Sequence, residues 1–169
     1  MAASAWNAKL LPQLIGKRTI TRLALGWFQP VSDAAIFQLG RFPCWLSGAY
    51  YGFPILPDDP GFKVARHWRG ELTDPNTVDR QQKSSDESLI WGFLRGQLPS
   101  ANGPMIQMKI CMYTHGGPWL GPLAGEPRIT FVVACNGGGF KFSSALGEAL
   151  ADYACDGKTD LPVSFMRLP

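Results

Sequence analysis

Apolar and polar residues change period several times along this chain, and each change predicts an element. Residues 19–28 (TITRLALGWF) alternate, with Leu23, Leu25 and Trp27 on one side, which is the two-residue period of a strand. Before them, residues 6–15 carry apolar positions at helical spacing broken by Pro12, enough for a short helix or turn. The pieces FPCWLS, AYYGFPIL and GFKVARHW follow, β-branched and aromatic and separated by Gly, Pro and Asp. They predict an antiparallel meander. At Ser84 the period turns helical: Ser84 and Glu87 fit a capping box, Leu89, Ile90, Phe93 and Leu94 form a stripe, and Pro99 stops it. A helix is predicted over 86–98. Residues 105–114 (MIQMKICMYT) predict a strand, and 128–135 (RITFVVAC) a strand buried on both faces. HGGPWLGPLAGEP between them reads as a loop. Residues 136–139 (NGGG) form a turn, and 143–154 a helix with Leu146, Leu150 and Tyr153 on one face and Gly157 beyond its end.

Composition narrows the class. A chain of 169 residues with 19 glycines and 14 prolines suits one globular domain better than two. The net charge of +3 is mild and the cations are scattered, so nucleic acid is not expected as a partner. No apolar run reaches the roughly 18 residues of a membrane span, and the start lacks a basic segment followed by an apolar core. Neither membrane nor secretory signal is expected, and cytoplasm is the default compartment. Cys44, Cys111, Cys135 and Cys155 include no C-x-x-C pair, so free thiols and no metal are expected.

Four places could carry chemistry. Gly137-Gly138-Gly139 between a strand and a helix lets backbone approach an electron-rich ligand closely, or is an ordinary flexible turn. Lys141 follows at the start of that helix, where the dipole disfavours a cation. It is either a carboxylate ligand or a solvated lysine. Lys63 and His67 share a strand face with Ala65, lining a polar cavity or a solvated surface. Cys111 alternates with Lys109 and Tyr113. It reads as a buried structural cysteine or as a nucleophilic thiolate in an electropositive setting.

Taken in order, YYGFP, GFK-x4-H-W, a D-P-x-T stretch (Asp74, Pro75, Thr77), a helix, KICMYT, and G-x-GFKFSS with GE-x-L and GKTDLP resemble the C-terminal half of the monomeric sarcosine oxidase family. These are FAD-dependent oxidases of N-methyl amino acids, and relatives act on N-methyltryptophan and pipecolate. SAWNAKLL is similar to the A-G-A-W segment that closes the family's FAD domain. The resemblance implies an α+β fold: an antiparallel (mixed) sheet substrate domain with flanking helices, plus the C-terminal strand and helix of an FAD-binding Rossmann-like domain. It assigns 1–15 to a remnant of the FAD domain, 16–114 to the substrate domain and 115–169 to the C-terminal part of the FAD domain.

Carried over by residue, the resemblance makes Cys111 the thiol linked covalently to the flavin, with Met112 beside it. Lys63 matches the oxygen-activating lysine, which would stabilise the charge of a reduced oxygen species. His67 and Tyr113 match pocket residues, and Lys141 the lysine that binds the substrate carboxylate. Gly137, Gly138, Gly139, Phe140, Lys141 and Trp6 fall at flavin-contacting positions. The implied reaction takes a secondary amino acid to an imine and dioxygen to hydrogen peroxide. The sequence also departs from the family: Gly138 stands at a histidine, Ser4 and Ala134 at glycines, and the segment before Cys135 is shorter. The family's N-terminal dinucleotide fingerprint and the arginine that partners Lys141 lie outside the chain, which makes that half an implied partner. The rival expectation is an inactive homologue or binding module that keeps the half-fold. A peroxisomal location is the family's alternative to cytoplasm, although the chain ends Met-Arg-Leu-Pro rather than Ser-Lys-Leu.

Overall fold

The computed structural model describes residues 1–68, 70–133 and 136–168. It has an α+β fold that divides into two compact units, Arg22–Met112 and Met1–Thr21 with Tyr113–Pro169, where the length suggested one domain. The chain passes between units inside two strands, β1 (Thr19–Phe28) and β6 (Met105–His115). The boundary therefore falls on no Gly- or Ser-rich linker that the sequence could display.

In the Arg22–Met112 unit, β2 (Trp45–Ser47), β3 (Tyr50–Phe53) and β4 (Phe62–Arg66) form the expected antiparallel meander. Strand β4 then pairs antiparallel with β1, which is also flanked by β6 and by the short β5 (Glu71–Leu72). The register sets Phe28 opposite Phe62 and Trp27 opposite Lys63, so alternation sends the two pairs to opposite faces. On the first face Phe28, Phe62 and Val64 are fully buried with Phe37 and with Ile90 and Leu94 of α2 (Ser84–Gln97). Each such side chain contributes about 1.5–3 kcal/mol of apolar burial. Both faces of β1 are covered, so its burial is nearly continuous from Thr21 to Phe28 and not the one-sided alternation its sequence suggested.

Two local features explain departures from expectation. Helix α2 starts at Ser84 because Asp86, and not Glu87, turns back on the first turn, accepting the Lys83 backbone N–H at 3.1 Å. Gly52 of YYGFP faces Val64 across the ladder. A Cβ there would lie 2.2 Å from the Lys63 carbonyl oxygen and 2.6 Å from the Trp45 ring. Glycine thus lets Trp45 lie across β3 and stack at 5.5 Å on Phe93 of α2.

The second unit holds an antiparallel pair, β7 (Trp119–Leu123) and β8 (Glu126–Val133). Strand β7 occupies the segment read as a loop. It tolerates Gly121 and Pro122 because the register shifts at Pro122/Leu123, an irregularity of the kind that admits proline in a strand. Strand β8 begins two residues before its predicted start, and Ala134 and Cys135 lie outside the described residues. Half-buried Val132 packs on the cluster of Leu120, Ala149 and Met166, while Phe131 and Val133 are buried on the other face. They join Leu11, Leu14 and Leu123 in one core cluster. The region before β1 is broken up around α1 (Asn7–Leu10) by 3-10 turns at Ser4–Trp6 and Pro12–Leu14, as Pro12 demanded. Helix α3 (Ser143–Cys155) covers the sheet as predicted. Its Ala149 packs with Leu120 and Met166, flanked by Leu146, Leu150 and Tyr153, and Gly157 at φ +72° follows.

Candidate functional site

The face of the Arg22–Met112 sheet opposite the Phe28–Phe62 core carries an unusual row of side chains. Trp27 is only 6% exposed. Lys63 comes to it from β4, with Nζ 5.1 Å from the indole centroid and 5.3 Å from the Phe53 ring. Lys109 comes from β6, with Nζ 5.4 Å from the same indole. The two ammonium groups are held by the negative face of an aromatic ring, an attraction of about 0.5–2 kcal/mol each. Neither has a carboxylate partner within ion-pair range among the described residues. Lys63 is half-buried. Trp27 Nε1 is buried without a hydrogen-bond partner. Every polar group in the row is therefore a donor.

Cys111 lies two residues beyond Lys109, on the same side of β6 by alternation. Its thiol is free and exposed, which overturns the buried-cysteine reading. Its Sγ lies 3.7 Å from the Met112 carbonyl oxygen, and Met112 is half-buried. Cys44 and Cys155 are also free and exposed; Cys135 lies outside the described residues. Strand β4 ends at Arg66, and the His67 ring packs edge-on against Tyr51 and Trp68, centroids 5.8 and 4.8 Å away.

In the other unit the glycine turn is pinned to the end of β6. Asn136 N–H donates to the Thr114 carbonyl at 3.1 Å and its side-chain amide to the Gly116 carbonyl at 3.0 Å. Gly137 has φ +78°, and a Cβ there would sit 2.5 Å from the buried Tyr113 ring. Glycine is thus required twice, by conformation and by contact. Tyr113 lies 6.3 Å from the His115 ring, and His115 Nε2 is 2.7 Å from Thr21 Oγ1. Gly138 is exposed and Gly139 half-buried. Phe140 is 93% exposed. Lys141 sits in the 3-10 turn Phe140–Phe142 before α3, exposed, with Nζ 5.2 Å over the Phe142 ring. Trp6 is exposed in the first turn of the chain. The expected site residues thus fall into two sets, with Lys63, His67, Cys111 and Met112 in one unit and Trp6, Tyr113, Gly137–Lys141 in the other.

Sequence reasoning missed Trp27 as the platform for both lysines, because that role depends on strand pairing. It also missed Arg22, a buried cation in an otherwise apolar strand. Its guanidinium is bidentate on Asp86 at 2.8 and 2.7 Å, and it donates to the carbonyls of Asp79 and Gln81, both at 2.7 Å. Burial pushes the Asp86 carboxyl up, but the Arg22 and Lys83 hydrogen bonds outweigh this and hold it below the usual carboxylate range.

No family model matches the chain. The fold is that of amine and amino-acid oxidases of known structure. The deglycating fructosamine oxidase amadoriase II from Aspergillus fumigatus superposes with a TM-score of 0.78 at 15% identity, over 97% of this chain and 42% of that one. Iminodiacetate oxidase from Chelativorans sp. BNC1 gives 0.72 at 17% identity, over 98% and 44%. By sequence the chain is homologous along its whole length to the monomeric sarcosine oxidases and N-methyl-L-tryptophan oxidases. It is 31% identical over 179 residues to the sarcosine oxidase of Bacillus sp. strain NS-129, covering 99% of this chain and 46% of that protein. It is 29% identical over 178 residues to N-methyl-L-tryptophan oxidase of Escherichia coli, covering 99% and 46%. The chain therefore spans just under half the length of these relatives, as a C-terminal half would. Among the described residues no helix is long and apolar enough to cross a membrane.

Proposed function

We propose that the chain is the catalytic portion of an FAD-dependent, sarcosine-oxidase-like enzyme that oxidises a secondary amino acid, N-methylated or cyclic, to an imine. FAD, when bound, takes two electrons from the C–N unit and passes them to dioxygen, giving hydrogen peroxide. The observation that carries this reading is the row Lys63, Trp27, Lys109 with the exposed Cys111 thiol two residues further along β6. A donor-only surface suits the electron-rich edge of a heteroaromatic ring, and an accessible thiol is free to form a covalent bond. On both counts the residues fit the cofactor.

In this reading Cys111 holds the flavin as a thioether, and Met112 lies beside it. Lys63 keeps an uncompensated positive charge where dioxygen gains electrons. His67 and Tyr113 line the substrate, Lys141 pairs with its carboxylate, and Trp6 with Gly137–Phe140 contacts the cofactor. We assign 1–15 and 115–169 to the FAD-binding domain and 16–114 to the substrate domain. The polypeptide that completes the FAD domain is the partner. A partner surface is supported by the apolar cleft of about 410 Å³ formed by Gly139, Phe142, Leu146, Pro162 and Phe165, and by the exposed aromatics Phe140 (93%) and Phe165 (75%). We place the enzyme in the cytoplasm.

Incubation with FAD and either sarcosine or pipecolate, with hydrogen peroxide as the readout, tests the reaction. Peroxide from either substrate supports the proposal. No turnover of any secondary amino acid by flavin-loaded protein returns the inactive homologue or binding module instead.

A further inference from the structure

The α2 side of the Arg22–Met112 unit carries a second cleft that the oxidase reading does not use. It holds about 240 Å³ and is lined by Arg22, Leu23, Arg66, Glu71, Asp86 and Leu89, among others. Among the described residues it has four charged groups, and three of them are settled. Arg22 is locked on Asp86, and Glu71 receives Lys83 Nζ at 2.7 Å. The exception is Arg66, whose Nε is buried with no hydrogen-bond partner. Among the described residues no carboxylate comes within ion-pair range of its guanidinium.

A buried donor without an acceptor is costly, so the cleft favours a ligand that brings the acceptor. The planar guanidinium fork matches a carboxylate. Ala24, Leu89 and Ile90 supply an apolar wall beside it. Glu71 and Asp86 stand nearby, so a singly charged anion is favoured over a multiply charged one. We propose that this cleft binds a small organic monocarboxylate, with its carboxylate on Arg66 and its hydrocarbon body against Leu89 and Ile90. Arg66 and Lys63 are three residues apart on β4 and alternate to opposite faces, so this site is separate from the Lys63–Trp27 row and does not depend on the flavin reading.

The test is an NMR titration of the full chain with butyrate, set beside butanol, which has the same hydrocarbon and no charge, and inorganic phosphate. The expected result is saturable butyrate shifts at Arg66, Gly70 and Ser85–Ile90, with butanol giving none and phosphate binding at least tenfold more weakly. Arg66→Gln should weaken butyrate at least tenfold, and Arg66→Lys should recover only part of that loss. Leu89→Asp, at a position 45% exposed, should also weaken it by like-charge repulsion, and decides the matter if Arg66→Gln fails to fold. Shifts that map elsewhere, phosphate binding as tightly as butyrate, or undiminished butyrate binding in a folded variant would overturn the proposal.

Discussion

Lys63 shows how one residue's setting decides its use. An alternating strand told from sequence that Lys63 faces away from Phe62 and Val64. Only the pairing of β4 with β1 told that it meets Trp27 and is answered across the ring by Lys109. If Lys63 stabilises negative charge on reacting oxygen, Lys63→Met should slow reoxidation of the reduced enzyme about 100-fold, roughly 2.7 kcal/mol, while substrate reduction of the flavin changes far less. Stopped-flow measurement of the two half-reactions separates them. Ser4 makes a second case. It sits at φ +47°, a left-handed conformation that costs a non-glycine residue about 1–2 kcal/mol, at the position where the sarcosine oxidase motif carries glycine. Ser4→Gly should raise stability by about 0.5–1 kcal/mol after the loss of chain entropy in the unfolded state, measurable by chemical denaturation.

At the scale of elements, the period of the sequence located β1 to the residue and α3 to within one, because each is long and strongly patterned. It did not locate β7, where Gly121 and Pro122 mimic a loop and the strand exists only because β8 pairs with it. Nor did it reveal that α2 is fastened to β1 through Asp86 and Arg22, since a charged residue in TITRLALGWF gives no sign of its partner. That pair makes α2 sensitive to acid. The Asp86 carboxyl is held below its unfolded value, so its contribution is fully present above the unfolded value and is lost as pH falls through the folded one. Asp86→Asn should cost about 3 kcal/mol near neutral pH, because it leaves a buried guanidinium unpaired. The variant should also lose less stability than the native chain between pH 5 and the acid limit, roughly the window over which a salt-bridged carboxylate gives up its contribution. Urea titrations across that range report both effects.

For the whole molecule, the division into two compact units leaves no mark in composition. A chain that crosses between compact bodies inside β1 and β6 has no compositional boundary, yet KICMYT and GFKFSS keep the spacing of a larger oxidase. The glycine turn was legible as a place of close backbone approach. That Tyr113 is what approaches Gly137 was not, because it follows from the return of β6 to the turn. The central claim is that Cys111 is the anchor of a flavin. It is tested most directly by purifying the chain with FAD, precipitating it in acid, and locating the retained flavin by peptide mass spectrometry. The account predicts flavin colour in the pellet, mass added on the peptide containing Cys111, and loss of both in Cys111→Ala. Retained flavin that survives Cys111→Ala unchanged, or a colourless pellet from native protein shown to bind FAD, would contradict it.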